Sequence, residues 1–550
     1  MGLCVALLPG CRTFSPGPGL TQCSELTGHT LAPALIGLPT QGALIDHATM
    51  ISRFAPGNPD GDYCRIMGEI KAIRTDTPDI RFEVNLPARW NGRALQMGGG
   101  GYNGEVQRAT GTVSYAAGKA PLAEGYATFG SDSGHVGNSA RADFAIDDEA
   151  VENFGFAHIK KTHDVALALI RLGYGQGPVK TYYVGGSTGG REGYTAIERF
   201  PDDYDGVIAN APAINFSGVR LIGLMIGRTI YAGEGAFVPL DKQKLVHARV
   251  LSECDALDGA KDGIVSNVEA CRAREPETIE SLRCSTTPPG SAPVSASDAA
   301  KSSGTSPATR CLTDPQIATM EALRDGLQLP YSLAYGVTGY PGYNVFEGSD
   351  VSGVLGLGGS AVLNSPPTFA TNGYLFAQGD AYLKYFVARD KTVSGVDFDP
   401  AQPGAYHDRL VDLSATVGAM NPNMSAYISH GGKLITLQGL ADEVISPNQT
   451  IAFYRTLVGR YGQLTVDSFM RLYMVPGYQH GNGVFIPSWD ALSALDRWVS
   501  RGVAPQTLIA TDLAQSTLGR SRPLCRFPAF PRYRGYGDMN EASSFRCSSS

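Results

Sequence analysis

The sequence predicts an α/β fold: a doubly wound, mostly parallel sheet flanked by helices, with a second unit inserted into it. Three observations carry this reading. Apolar, β-branched runs of strand length each end in a glycine-containing loop. Amphipathic helical stretches lie between them. One loop reads Gly185-Gly186-Ser187-Thr188-Gly189, which fits Gly-x-Ser-x-Gly, the tight turn that exposes a serine between a strand and a helix.

In chain order, residues 1–20 read as a leader and linker. MGLCVALLPGC is apolar but short and lacks a positive segment ahead of it, so a plain leader is preferred over a signal remnant. Its LPGC ending resembles a lipoprotein cleavage box, which would make Cys11 a lipid-anchored cysteine. The first strand, Arg93–Met97, runs into Gly98, Gly99, Gly100 and Gly101. A helical pattern follows over residues 152–173, with Phe156, Ile159, His163, Ala166 and Leu167 on one face. Thr181–Val184 is the strand before Ser187, and the helix after it stops at Pro201, which cannot continue a helix. From Phe216 to Ala419 strand signals are sparse. Residues 214–419 are therefore predicted to form an inserted lid, between residues 21–213 and 420–550 of the α/β domain. Within it Ser285–Arg310 is low in complexity and reads as a surface insertion. Lys433–Gln438 and Arg471–Val475 are the last two strands.

Composition limits the function classes. With 550 residues, 43% of them hydrophobic and 18% charged, the chain can bury a large core. A net charge of −7 without long runs excludes a basic face for nucleic acid. No apolar run reaches the roughly 18 residues that a membrane-spanning helix needs. The ten cysteines include no Cys-x-x-Cys pair, which argues against a zinc ribbon or redox motif. Several form local pairs: 254 with 271, 284 with 311, and 525 with 547. Loops of that size suit structural disulfides in a secreted or periplasmic chain. Nothing in the sequence sets an oligomeric state.

The chemistry-bearing residues follow the order Ser, Asp, His. Asp442 comes just after the strand Lys433–Gln438 and His480 just after Arg471–Val475, each in a loop that contains glycine. A hydroxyl is a weak nucleophile until an imidazole takes its proton and an acid orients that imidazole. Ser187, His480 and Asp442 fill those roles. Glu443 is the alternative acid, and His135 and His163 are alternative bases that precede the serine. The glycine run offers backbone N–H groups for an oxyanion, with Gly100 favoured over Gly99 and the N–H of Thr188 as second donor. A second cluster, from Cys254 to Ile264, holds Asp255, Asp258 and Asp262 among glycines and suits a calcium loop, although Ala260 stands where a third-position ligand would be.

Taken together, these motifs resemble the tannase/feruloyl esterase family. The resemblance runs from about Cys23 to Cys547. It includes GGSTGGREG from Gly185, RFPDDYDGVIANAPA from Arg199, DALDGAKDGI from Asp255, GGKLITLQGLADEVISP from Gly431 and the tail from Pro523 to Cys547. It implies an α/β-hydrolase core with a large lid. It also implies a structural calcium ion held by the side chains of Asp255, Asp258 and Asp262 and the carbonyls of Ala260 and Ile264. Disulfides Cys23–Cys64, Cys254–Cys271, Cys284–Cys311 and Cys525–Cys547 are implied as well, leaving Cys4 and Cys11 over. The expected activity is hydrolysis of a small aromatic acid ester (hydroxycinnamate, gallate or terephthalate monoester) through an acyl-enzyme. Aliphatic or hydroxyalkanoate esters are the alternative substrates, and a non-catalytic calcium-stabilised binding protein is the alternative class. The chain departs from the family pattern in two places. Gly186 and Gly481 stand where a cysteine pair usually bridges the site, and Gln438 stands where a histidine is usual.

Overall fold

The computed structural model describes residues 23–113, 118–284 and 311–549. The leader, Cys4, Cys11 and the segment Ser285–Arg310 lie outside the described residues.

The strands of the main sheet are β1 (Thr30–Leu31), β2 (Ala43–Ile51), β3 (Tyr63–Ile70), β4 (Ile80–Pro87), β5 (Arg93–Met97), β6 (Ala127–Ser131), β7 (Lys180–Gly186) and β8 (Gly206–Asn210). After a small hairpin of β9 (Gly326–Gln328) and β10 (Gly339–Pro341) come β11 (Lys433–Gly439) and β12 (Met470–Val475). The ten strands lie in the order β1-β2-β3-β4-β6-β5-β7-β8-β11-β12. β1 to β4 and the β4–β6 pair are antiparallel, and from β6 to β12 every pairing is parallel. This is the α/β-hydrolase architecture.

Burial follows the pairing. β6, β8 and β12 are buried at every residue, as strands covered by helices on both faces must be. β3 alternates buried and partly buried positions because it belongs to the antiparallel half. The helices α1 (His158–Tyr174) and α2 (Thr188–Arg199) bury long stripes against the sheet. Glycine at C′ ends α1: Gly175 adopts φ 73° and donates its N–H to Arg171.

Between β8 and β11 the chain leaves the sheet, and the insertion packs into one apolar cluster with Tyr102, Phe154, Val444 and Ile445 of the α/β part. Its first helices are α3 (Phe216–Ala232) and α4 (Leu240–Cys254). α5 (Tyr374–Ala381) crosses α3 at close quarters, because a β-carbon at Gly223 or Gly227 would strike the Leu375 carbonyl or the Phe376 ring. After β11, α6 (Pro447–Tyr461) and α7 (Ala491–Arg501) return to the sheet. The C-terminal residues add a three-stranded antiparallel sheet of β13 (Pro487–Ser488), β14 (Leu508–Asp512) and β15 (Ser521–Leu524), and a hairpin of β16 (Phe530–Tyr533) and β17 (Phe545–Ser548).

The four implied disulfides are formed: Cys23–Cys64, Cys254–Cys271, Cys284–Cys311 and Cys525–Cys547, with Cα separations of 5.8, 5.2, 4.9 and 5.5 Å. Four such bonds belong to an oxidising compartment. Among the described residues no helix is long and apolar enough to cross a membrane.

Candidate active site

Ser187 sits between β7 and α2 at φ 59° and ψ −121°, a backbone region that costs a non-glycine residue about 1–3 kcal/mol. Surrounding contacts hold it there. Its N–H donates to the Asn210 carbonyl at the end of β8 (2.9 Å), and its carbonyl accepts from Arg191 and Ala213 (3.0 and 3.1 Å). The flanking glycines are demanded by packing. A β-carbon on Gly185 would lie 2.5 Å from the Gly189 carbonyl carbon, and one on Gly189 would lie 2.6 Å from the Gly99 oxygen.

The turn is tied to the glycine run after β5. Gly189 donates its N–H to the Gly99 carbonyl (2.8 Å), and the Thr188 hydroxyl donates to the Gly101 carbonyl (2.6 Å). Thr188 opens α2, so its N–H has no acceptor within the helix. Of Gly98 to Gly101, only Gly100 would point a β-carbon into open space; the others meet Tyr183, Asn103 or Ser139. Gly100 is therefore the glycine of this run with open space beside its Cα.

His480 reaches this turn from the loop after β12. Its Nε2 lies 3.0 Å from the Ser187 Oγ, and its Nδ1 lies 3.0 Å from Asp442 Oδ2. A carboxylate only accepts, so the proton is on Nδ1 and Nε2 is free to accept from the hydroxyl. Asp442 is fully buried, and four donors satisfy it. Val444 and Ile445 donate their N–H groups to Oδ1 (2.9 and 2.8 Å), and Gln438 Nε2 joins His480 at Oδ2 (3.0 Å). Gln438 thus braces the acid from its own strand, and Thr450 in α6 braces Gln438 (3.1 Å). Burial opposes a charge on His480, but the Asp442 carboxylate and its hydrogen bond, helped by Glu443, outweigh it and raise the imidazole pKa. Gly481, next to His480, adopts φ 84°.

The alternative residues take other positions. Glu443 accepts the backbone N–H of His480 at 3.1 Å; burial and then the adjacent Asp442 charge push its carboxyl upward. His135 is buried and stacked on Phe144 at 3.6 Å, and burial pushes its imidazole down to about 4. His163 lies 2.9 Å from Asp164, on α1. Its ring, Asp164 and Asp203 converge closely, but Lys160 already pairs with both carboxylates at 2.7 and 3.0 Å. Sequence reading missed the support beneath the turn. Glu192 on α2 is buried and accepts from Asn103 (2.5 Å) and Tyr183 (2.7 Å). Burial opposes its charge, but His158 and then Arg191 hold the carboxyl down at about 2. Its signal was a pair of charged residues, Arg191 and Glu192, within an otherwise glycine-rich helix start.

The Asp-rich loop lies in the insertion, directly after α4, and contacts the C-terminal unit. Asp255 Oδ1 accepts the N–H groups of Asp262, Gly263 and Ile264 (3.1, 3.0 and 3.2 Å). Asp258 Oδ2 is buried with no hydrogen-bond partner, an orphaned carboxylate oxygen that suits a hard cation. Ala260 donates its N–H to Asp258 Oδ1 (2.9 Å), and both Ala260 and Ile264 are buried. Asp262 is shared: its Oδ2 pairs with Arg522, and its carbonyl accepts from Arg520 (3.1 Å).

Comparison with known proteins identifies a family. The family model described as tannase and feruloyl esterase matches residues 64–548. An uncharacterised esterase of Agrobacterium fabrum is 41% identical over 531 residues, covering 96% of this chain and 92% of that protein. A probable feruloyl esterase of Arthroderma benhamiae is 31% identical over 483 residues, covering 84% of this chain and 81% of that protein. Among solved structures, feruloyl esterase B from Aspergillus oryzae superposes with a TM-score of 0.72 at 25% identity, covering 94% of this chain and 98% of that one. The chain belongs to the tannase and feruloyl esterase family and is a carboxylic ester hydrolase.

Proposed function

We propose that this protein is a serine esterase that hydrolyses esters of aromatic acids through an acyl-enzyme. The observation that carries the mechanism is the continuous chain Ser187–His480–Asp442, with both links at 3.0 Å. His480 Nε2 takes the Ser187 proton as Oγ attacks the acyl carbon. Gly100 and Thr188 N–H groups receive the charge that develops on the carbonyl oxygen. The imidazolium, held by Asp442, then protonates the leaving alkoxide. Water attacks the acyl-enzyme with His480 again as base, restoring Ser187.

The aromatic acyl group is supported by the names of the relatives and by the side chains beside the glycine run. Tyr102, Phe144, Phe154, Phe216 and Phe386 form a mutually packed aromatic cluster where the insertion meets the core. The insertion then acts as a lid, and the ring of the acyl group lies between it and the glycine run. A calcium ion in the Asp255–Ile264 loop would be structural. Asp255, Asp258 and Asp262 side chains and Ala260 and Ile264 carbonyls would hold it, and the ion would lock the insertion to the C-terminal unit. The disulfides support a secreted or periplasmic location.

A fluorophosphonate probe followed by peptide mapping tests the nucleophile; an unmodified Ser187 in folded protein overturns the serine mechanism. Rates on methyl ferulate, methyl gallate and a short aliphatic ester test the acyl group. A higher kcat/KM on the aliphatic ester overturns the aromatic reading.

A further inference from the structure

The glycine run after β5 spends its backbone hydrogen bonds unevenly. Gly98 donates its N–H to the Val184 carbonyl (2.9 Å), Tyr102 to Ser139 (2.9 Å), Asn103 to Gly100 (2.8 Å) and Gly104 to Asp132 (3.1 Å). Among the described residues, the N–H groups of Gly99, Gly100 and Gly101 make no hydrogen bond, although all three residues are half-buried. Backbone donors away from water are rarely left unpaired, and such donors are what a developing oxyanion requires.

Where they point depends on the turn that follows. The bond from Asn103 to Gly100 closes a four-residue turn in which Gly101 has φ 58° and Asn103 φ 52°, and Gly104 follows at φ 94°. Asparagine tolerates the left-handed region better than most residues, but a succession of such angles needs outside contacts to hold it. α2 grips the run itself through the carbonyls of Gly101 and Gly99, by way of the Thr188 hydroxyl and the Gly189 N–H. It grips the turn through Asn103. This side chain is 5% exposed and donates its Nδ2 to Glu192 Oε1 at 2.5 Å. Its Oδ1 packs under Gly99, where a β-carbon would lie 2.9 Å away, and Glu192 Oε2 packs under Gly98, where one would lie 2.5 Å away. Glu192 is in turn fixed by the Tyr183 hydroxyl of β7 (2.7 Å) and faces His158 Nε2 of α1 (3.6 Å). Asn103 therefore ties the loop with unbonded donors to the helix that begins at Ser187.

We propose that Asn103 is a positioning residue for ester hydrolysis: its amide, anchored on Glu192, holds the Gly100 N–H where the tetrahedral intermediate places its oxyanion. This inference rests on the serine-esterase reading of the same site. Asn103 acts through the glycine run and not by touching the reacting atoms. The carbonyl oxygen gains its charge only as Ser187 Oγ adds to the acyl carbon. A displaced donor is therefore felt in the transition state and hardly in substrate binding.

The test uses Asn103→Gly, which removes the amide and keeps a residue at ease with positive φ. Its kcat on methyl benzoate is expected to fall about 100-fold, with KM changed by less than about threefold. A second substrate separates the oxyanion from general damage. Sulfur accepts hydrogen bonds weakly, so O-methyl thionobenzoate gains little from the donors even in the wild type. The ratio of kcat/KM for the oxygen ester to that for the thiono ester is expected to fall about tenfold in Asn103→Gly. Glu192→Gln keeps an acceptor for Asn103 and should retain most activity, and adding it to Asn103→Gly should cost nothing further, because the two residues act as one unit. A wild-type kcat in Asn103→Gly, or an unchanged ester ratio, overturns the proposal, since a merely structural role lowers both esters alike. Asn103→Asp, of the same shape but with no side-chain donor when ionised, repeats the test if the glycine variant fails to fold. Hydrogen–deuterium exchange reads the loop without any substrate. Peptides spanning Gly98 to Gly104 should exchange faster in either variant, and unchanged exchange overturns the proposal. If the wild type cleaves no ester, the esterase reading fails, and the exchange alone decides whether Asn103 holds the loop.

Discussion

Glu443 accepts the backbone N–H of His480 at 3.1 Å, while Asp442, its neighbour in sequence, takes the imidazole Nδ1 at 3.0 Å. Two adjacent carboxylates thus do different things to one histidine: Glu443 anchors its backbone, and Asp442 orients its ring. Asp442→Asn is expected to lower kcat on the order of 10⁴-fold, because the amide no longer holds the productive tautomer. Glu443→Gln keeps an acceptor for the backbone N–H and is expected to cost less than about tenfold. Steady-state kinetics on one ester decides between them, and a larger loss in the glutamate variant would reverse the assignment.

The pH profile follows from the same pair. Catalysis needs His480 neutral, and its pKa is raised, so the acid limb of kcat/KM should fall above the ordinary histidine value of about 6.5. Glu443 is one of the groups that raise it. Glu443→Gln should therefore move the acid limb to lower pH. Profiles of both proteins check this, and a limb that moves upward contradicts it. The same raised pKa makes a stability contribution that is present below about pH 6.5 and lost as pH rises through the folded-state value.

Gly189 lies against the glycine run so closely that a methyl group would meet the Gly99 oxygen at 2.6 Å and the Gly98 carbonyl carbon at 2.9 Å. Both neighbours are backbone and have little freedom to move aside. Gly189→Ala is expected to destabilise the fold by about 1–3 kcal/mol. It should also lower kcat about 100-fold by shifting the oxyanion donors. Thermal unfolding and kinetics on the purified variant measure the two effects separately; a variant equal to wild type in both refutes the contact.

Removal of calcium should act on stability. An ion present at about 100 times its Kd adds roughly 2.7 kcal/mol to the folded state. Excess chelator should therefore lower Tm by several degrees, with calcium restoring it. Asp258→Asn weakens the carboxylate that carries the orphaned oxygen and should abolish the chelator response. An identical Tm with and without chelator, together with no calcium by elemental analysis, rules the ion out.

The missing cysteine pair gives a geometric test. Ser187 and His480 are in contact, so their neighbours Gly186 and Gly481 are expected to have Cα atoms in or just above the roughly 4.4–6.8 Å range of disulfides. A β-carbon on Gly481 would meet nothing within 4 Å, but its φ of 84° makes any side chain there cost about 1–2 kcal/mol. The double variant Gly186→Cys, Gly481→Cys should lose its free thiols on oxidation and keep its activity. When reduced it should be less stable than wild type. Thiols that stay free in the oxidised protein would mean the two loops are not in register.

Some of this architecture is legible in the sequence because local chemistry encodes it. The parallel strands around Ser187, Asp442 and His480 read as apolar runs because both of their faces are covered. The Gly-x-Ser-x-Gly turn reads from five residues because Gly185 meets the Gly189 backbone within the same turn. β1 to β4, β6 and β8 were not legible as strands: the first four mix polar and apolar residues, and Ala127–Ser131 and Gly206–Asn210 are short and built partly of small side chains. The C-terminal sheet was missed for the same reason.

The sequence by itself determined which residues could form a triad and the order in which they occur. Only the tertiary structure decided which of them meet. Ser187 and His480 are 293 positions apart, and the register of β7, β8, β11 and β12 sets their separation; no residue near either one encodes it. The same register separates Asp442 from Glu443 in role, although both are acids in one loop.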